Sequence, residues 1–132
     1  PVSALIIDLD GLKIANDQLG HDAGDALLRR LGEVLNGAVS MPNHAARVGG
    51  DEFAVLMPCA DRQAAQAMLE TIQELLKINN QFYSNAPLDI SVGLATSEEG
   101  ETMEAMVRRA DLAMYEQKRA HHASRKASAA AL

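Results

Sequence analysis

Apolar and polar positions along the chain follow two periods, one typical of strands and one typical of helices. Four segments are continuously apolar or alternate residue by residue, and they predict strands over 2–7, 45–48, 52–57 and 88–95. Four other segments place apolar residues at helical spacing, and they predict helices over 12–18 and 25–39, from Asp61 onward and from Thr102 onward. The chain therefore reads β-α-α-β-β-α-β-α.

This order predicts an α+β fold, a ferredoxin-like or palm-type antiparallel sheet flanked by helices. Asp22 and Asp25 are both expected N-caps for the helix over 25–39. Residues 79–87 are expected to form a loop, and Gly93 is expected to mark a bulge or a close backbone approach. Composition assigns residues 1–120 to one domain and residues 121–132, rich in His, Ser, Lys and Ala, to a linker or disordered tail.

Composition narrows the class of protein. The length of 132 residues fits one domain, and 48% apolar residues can build a core. No apolar run approaches the roughly 20 residues that cross a bilayer, and the single cysteine, Cys59, indicates a reducing compartment, the cytoplasm by default.

The net charge of −6 is unevenly distributed. Residues 108–126 carry a net +4, so the remainder carries −10. An acidic body argues against nucleic-acid binding, whereas a basic end beside acidic turns suits a small polyanion held with divalent cations. A solvated helix and tail is the simpler interpretation of the basic segment.

Two acidic segments are expected to meet. Asp8 and Asp10 end the first strand, and Asp51 and Glu52 follow the two glycines of the turn at 49–50. Because the first strand and the central hairpin are natural neighbours in this topology, these carboxylates can hold a hard cation such as Mg²⁺ beside a phosphate. The alternative is that Asp8 and Asp10 cap the next helix while the glycines only suit a tight turn.

Other polar residues carry weaker functional signals. Lys13 lies where a strand leads into a helix, a place where free amides bind phosphate. Asn16, His21 and Asp25 surround a helix-to-helix connection, and their residue types alone favour caps and turns over purine recognition. The histidines at 44, 121 and 122 lack zinc-ligand spacing.

The residues match a known family. The chain resembles the GGDEF family, the diguanylate cyclases that condense two GTP molecules into cyclic di-GMP in bacterial second-messenger signalling. The resemblance rests on six ordered segments, 8–13, 16–21, 24–25, 47–53, 90–95 and 110–118.

The resemblance implies a role for each matching residue. Metal ligands would be Asp8, the Leu9 carbonyl, Asp51 and Glu52, with two Mg²⁺ ions per active site, for which Mn²⁺ can substitute. Asp51 would also help as general base, and Lys13 would stabilise the transition state. The substrate-binding residues would be Asn16, His21, Asp25, Gly49, Gly50 and Lys118.

The implied partners are GTP, a second copy of the domain in a transient or stable two-fold dimer, and sensor or other signalling domains of the same full-length chain. Neither nucleic acid nor membrane contact is expected of this domain, although the full-length protein can be membrane-anchored through other domains. A different class of function stays open, a catalytically silent GTP-binding regulatory module of a larger signalling protein.

Two departures from the family pattern bear on function. The usual Arg-x-x-Asp product-binding site is replaced by residues 40–43, which read Ser-Met-Pro-Asn. The usual Gly-Arg-Asn after Lys118 is replaced by residues 120–123, which read Ala-His-His-Ala. The first predicts no feedback inhibition through that site. The second removes an expected phosphate-binding cation, for which His122 or Arg119 would substitute weakly.

Overall fold

The computed structural model describes residues 1–131, and the side chains up to residue 128. Its eight elements follow the predicted order, which confirms the β-α-α-β-β-α-β-α sequence and the α+β class. The elements are β1 Ser3–Leu9, α1 Leu12–Leu19, α2 His21–Ala38, β2 His44–Arg47, β3 Glu52–Met57, α3 Arg62–Phe82, β4 Ile90–Thr96 and α4 Met103–Ala131.

The four strands form one antiparallel sheet in the order β2-β3-β1-β4. β1 is central and every one of its residues is buried, as its continuous apolar run predicts. Its side chains alternate between two helical layers. Leu5, Ile7 and Leu9 pack toward α2 and α3, whereas Ala4 and Ile6 pack toward Met106, Ala110 and Met114 of α4.

Gly93 permits the close contact between β4 and α4. A Cβ at this position would lie 1.8 Å from the Ala110 carbonyl oxygen and 2.4 Å from the Met114 nitrogen. The pairing of β1 with β4 runs without interruption from Ser3↔Thr96 to Leu9↔Ile90, so Gly93 marks a close backbone approach and no bulge.

Several predicted boundaries were wrong. Neither Asp22 nor Asp25 caps α2, because the helix begins at His21 after Gly20, whose φ of 91° breaks the chain direction. α3 continues to Phe82 and takes in the first four residues of the predicted loop, because the Asn80 side chain exchanges hydrogen bonds with the main chain of Leu88 and ties the helix end to the following segment. The helix starts predicted at Asp61 and Thr102 are confirmed, because the side chains of these two residues cap α3 and α4 by accepting bonds from the Ala64 and Ala105 amides.

The last helix is longer than composition indicates. α4 continues through residues 121–131, where His, Ser, Lys and Ala carry no apolar stripe. The helix persists because no glycine or proline interrupts it and alanine is a strong helix former. The division of the chain at residue 120 stays a prediction, and Leu132 lies outside the described residues. No helix in the described part of the chain meets the length and apolarity that a bilayer crossing requires.

Candidate active site

The end of β1 and the hairpin between β2 and β3 meet, as predicted. Asp8 lies opposite Glu52 in the antiparallel register. One residue further on, the Leu9 amide donates a hydrogen bond of 3.1 Å to the Asp51 carbonyl. The strand pairing therefore holds the three acids Asp8, Asp51 and Glu52 at one edge of the sheet.

The glycine turn is organised by its own backbone and by Arg47. The amides of Val48 and Gly49 donate to the Glu52 carbonyl, while Arg47 donates to the carbonyls of Gly49 and Gly50 at 3.2 and 2.6 Å. Neither glycine has a positive φ, and a Cβ on Gly50 would meet no atom within 4 Å. The local fold therefore does not require glycine at position 50, which leaves backbone open to an approaching ligand.

Two of these carboxylates, those of Asp8 and Glu52, are costly to ionise. Burial raises the pKa of Asp8 to about 6; the Lys118 ammonium opposes this shift, and the negative charge of Asp51 adds to it. Burial also raises the pKa of Glu52, and the charges of Asp111 and Asp51 act in the same direction. Asp8 is only 6% exposed, and its Oδ1 has no hydrogen-bond partner within the described residues.

Lys118 reaches this cluster from α4. Its Nζ lies 3.2 Å from Asp8 Oδ2, 3.5 Å from Asp10 Oδ1 and 3.3 Å from the Leu9 carbonyl oxygen. One ammonium thus contacts two of the residues that the resemblance assigns to metal binding.

Asp10 does not cap α1, so the alternative interpretation of Asp10 as a helix cap is wrong. The N-cap of α1 is Gly11, with no side-chain cap bond. The buried Asp10 carboxylate instead accepts from Ser91 Oγ at 2.8 and 3.0 Å and lies 2.9 Å from His121 Nδ1. β4 and α4 therefore supply the partners that a buried carboxylate needs.

A second donor group lies beside the first. Ligand atoms of Asp10, Asp89 and His121 all lie within 4.8 Å of one another, which is close enough to hold a metal ion. Sequence spacing gave His121 no partner, because the contact depends on the extension of α4. Asp10 and His121 lie more than a hundred residues apart in the chain, so no local sequence pattern indicates that they meet.

The residues present fit a hard divalent cation. The donor set is entirely oxygen, from the carboxylates of Asp8, Asp51 and Glu52 and the carbonyl of Leu9, and Mg²⁺ prefers such ligands. The unpartnered buried Asp8 Oδ1 indicates an interaction that the protein alone does not supply. The Lys118 ammonium, drawn to the same oxygens, shows that this edge attracts positive charge.

The residues expected to bind the nucleotide lie in two places. Asn16 of α1 faces Gly24 of α2, where an added Cβ would come within 1.8 Å of Asn16 Oδ1, an atom with no partner among the described residues. His21 and Asp25 are exposed on the same helix pair. Lys13 instead lines a cavity of about 900 Å³ together with Lys118.

Comparison with known proteins shows the family of this chain. The family described as "Diguanylate cyclase, GGDEF domain" matches residues 1–124. The chain is a member of the GGDEF diguanylate cyclase family, a class of signalling domains whose members typically bind metal and GTP.

Three similar proteins illustrate the relationship. Diguanylate cyclase A of Treponema denticola is 32% identical over 120 residues, covering 89% of this chain and 32% of that protein. Response regulator PleD of Caulobacter vibrioides is 38% identical over 125 residues, covering 89% and 27%. The solved GGDEF domain of DgcB from Caulobacter crescentus, in complex with c-di-GMP, has a TM-score of 0.78 at 29% identity, covering 90% of this chain and 72% of that one. The chain thus spans about a third or less of these two curated relatives.

Proposed function

We propose that this domain condenses two GTP molecules into cyclic di-GMP and pyrophosphate. The observation that carries the proposal is the buried Asp8 carboxylate, with one unpartnered oxygen, held opposite Glu52 and next to Asp51. Asp8, the Leu9 carbonyl, Asp51 and Glu52 would hold two Mg²⁺ or Mn²⁺ ions. Bound there, the metal would neutralise phosphate charge and lower the pKa of the attacking hydroxyl.

The side chains then position and stabilise the reacting groups. The 3′-hydroxyl of each GTP attacks the α-phosphate of the other, so two phosphodiester bonds form and two pyrophosphates leave. Asp51 accepts the hydroxyl proton as general base. Lys13 and Lys118, which line one cavity, place positive charge beside the phosphates.

The nucleotide base is recognised away from the acids. The Asn16 amide accepts and donates hydrogen bonds at the guanine edge, and the Asp25 carboxylate accepts from guanine N–H groups, with His21 beside the nucleotide. The buried, unpartnered Asn16 Oδ1 supports this role, because such an atom needs a partner. Gly49 and Gly50 let the backbone of the turn approach the substrate.

Two domains must cooperate, since each holds one GTP and supplies half of the reaction. We infer a two-fold homodimer, formed transiently or under the control of signalling domains elsewhere in the full-length chain. The single cysteine fits the reducing cytoplasm, where GTP is available.

The test is product formation by a domain fused to a dimerising coiled coil and incubated with GTP and Mg²⁺. Chromatography is expected to detect cyclic di-GMP from the wild type. The Asp51→Asn fusion is expected to lose about 10²-fold or more of the rate, since base and metal ligand are removed together. Equal rates in both proteins would refute the assignment.

One observation favours a second candidate, a catalytically silent GTP-binding regulatory module. The Lys118 ammonium contacts Asp8 and the Leu9 carbonyl, the oxygens that the catalytic proposal gives to metal. Tight GTP binding by the forced dimer with no cyclic di-GMP in the presence of Mg²⁺ would support this candidate over the enzyme.

A further inference from the structure

The cavity of about 900 Å³ lies between the start of α1 and the C-terminal part of α4. Five of its ten lining residues are lysine or arginine, and none of the described side chains that line it is acidic. The basic lining residues are Lys13, Lys118, Arg119, Arg125 and Lys126. In a domain of net charge −6, such a concentration of positive charge is suited to a polyanion.

The extension of α4 supplies part of this charge. Arg125 follows Lys118 by seven residues, two helical turns, so the two side chains share one face of the helix. The helix continues through residues 120–123, which replace the Gly-Arg-Asn that the resemblance implies. This replacement removes an expected phosphate-binding cation. The same replacement that removes that cation therefore brings Arg125 to the cavity.

Arg125 is the most loosely held cation around Asp10. Its Nη2 lies 3.8 Å from Asp10 Oδ2, and its Nε donates a long bond of 3.4 Å to the His121 carbonyl. Asp10 is already bonded by Ser91 and His121 at shorter distances. With 45% of its side chain exposed, Arg125 can turn toward an anion without leaving Asp10 unpartnered.

We propose that Arg125 binds the terminal phosphates of the nucleotide in this cavity, a role that rests on the proposed function. Lys13 and Lys118 line the same cavity, and Gly11 opposes Arg125, with a built Cβ 3.6 Å from its Nη1. A planar guanidinium can donate two parallel hydrogen bonds to a phosphate, which an ammonium cannot. Arg125 thereby holds the phosphates that leave as pyrophosphate.

The test compares the binding of two nucleotides that cannot condense. 3′-Deoxy-GTP lacks the attacking hydroxyl, and GMP lacks the terminal phosphates. With Mg²⁺ present, isothermal titration calorimetry on Arg125→Ala is expected to show about tenfold weaker binding of 3′-deoxy-GTP than the wild type, with GMP affinity unchanged. Arg125→Lys is expected to recover part of the loss, because lysine restores the positive charge but lacks the planar guanidinium that donates two parallel hydrogen bonds.

The matched control is Arg62→Ala, at the exposed start of α3 in the opposite helical layer, which is expected to bind both nucleotides like the wild type. Wild-type affinity of Arg125→Ala for 3′-deoxy-GTP would overturn the proposal and leave the cyclase assignment standing. Equal losses for both nucleotides would also overturn it, because the defect would not be at the phosphates. A wild type that binds neither nucleotide would refute the proposed function together with this role.

Discussion

The ammonium of Lys118 and the carboxylate of Asp8 are 3.2 Å apart, although 110 positions separate them in the chain. The contact joins the last helix to the end of the first strand. The ammonium partly offsets the effect of burial on the pKa of Asp8, which nevertheless rises to about 6. The domain thus holds costly negative charge at the edge where a cation is proposed to bind, as expected of a site selected for function over stability.

The burial of Asp8 predicts a pH-dependent stability. The pKa of Asp8 rises from 3.8 to about 6 on folding, so the folded chain binds this proton more tightly than the unfolded chain. The contribution of Asp8 to the free energy of unfolding is therefore greatest below about pH 4, falls as the pH rises through about 6, and changes on the order of 3 kcal/mol in all.

Urea denaturation across this range, without divalent cations, measures the effect. Asp8→Asn is expected to flatten this part of the pH profile and to be at least as stable as the wild type at about pH 7. Glu74→Gln, an exposed position on α3, serves as the control and should keep the wild-type profile. Parallel profiles for Asp8→Asn and the wild type would contradict the burial argument.

Removing the Lys118 ammonium should make Mg²⁺ binding at Asp8 and Leu9 more favourable. Lys118→Met leaves Asp8 and Asp10 without their shared ammonium, so we expect a loss of about 1–3 kcal/mol of stability. Added MgCl₂ should raise the melting temperature of this variant more than that of the wild type, because the ion no longer competes with the ammonium for Asp8 and Leu9. An equal rise in both proteins would show that Mg²⁺ does not bind at these oxygens.

Gly93→Ala should damage the fold itself. The new methyl group would meet the Ala110 carbonyl, a backbone atom that cannot move without shifting α4 from β4. We expect a loss of about 3 kcal/mol, measured by chemical denaturation. Gly32→Ala is the control: a Cβ there meets nothing within 4 Å, and the helix should gain about 0.5–1 kcal/mol. A tolerated Gly93→Ala would contradict the close packing of these elements.

Gly24→Ala should weaken nucleotide binding while it changes the stability of the fold only a little. The added methyl group would meet the ends of the Asn16 and Leu12 side chains, which are flexible and can rotate away, so the loss of stability should be about 1 kcal/mol. Displacing Asn16 removes a hydrogen bond proposed for guanine and should weaken 3′-deoxy-GTP binding about tenfold. Unchanged affinity in calorimetry would remove Asn16 from the binding site.

The sequence predicted what depends on local pattern. Strand alternation and the glycine turn placed Asp8 beside the hairpin, and the register Asp8↔Glu52 confirms this neighbourhood. The contacts of His121 with Asp10 and Ser91 could not be predicted, because they depend on a helix extension without an apolar stripe. The start of α2 was predicted at residue 25 because the polar residues before it look like caps. The helix instead begins at His21, since the chain turns at Gly20.

Binding of Mn²⁺ in the presence of 3′-deoxy-GTP tests the central claim most directly, since electron paramagnetic resonance reports the free ion. The wild type is expected to remove Mn²⁺ from solution in a nucleotide-dependent manner, and Asp8→Asn is expected to lose at least about tenfold in Mn²⁺ affinity. Equal, nucleotide-independent Mn²⁺ binding by the wild type and Asp8→Asn would contradict a shared cation and nucleotide site at the end of β1.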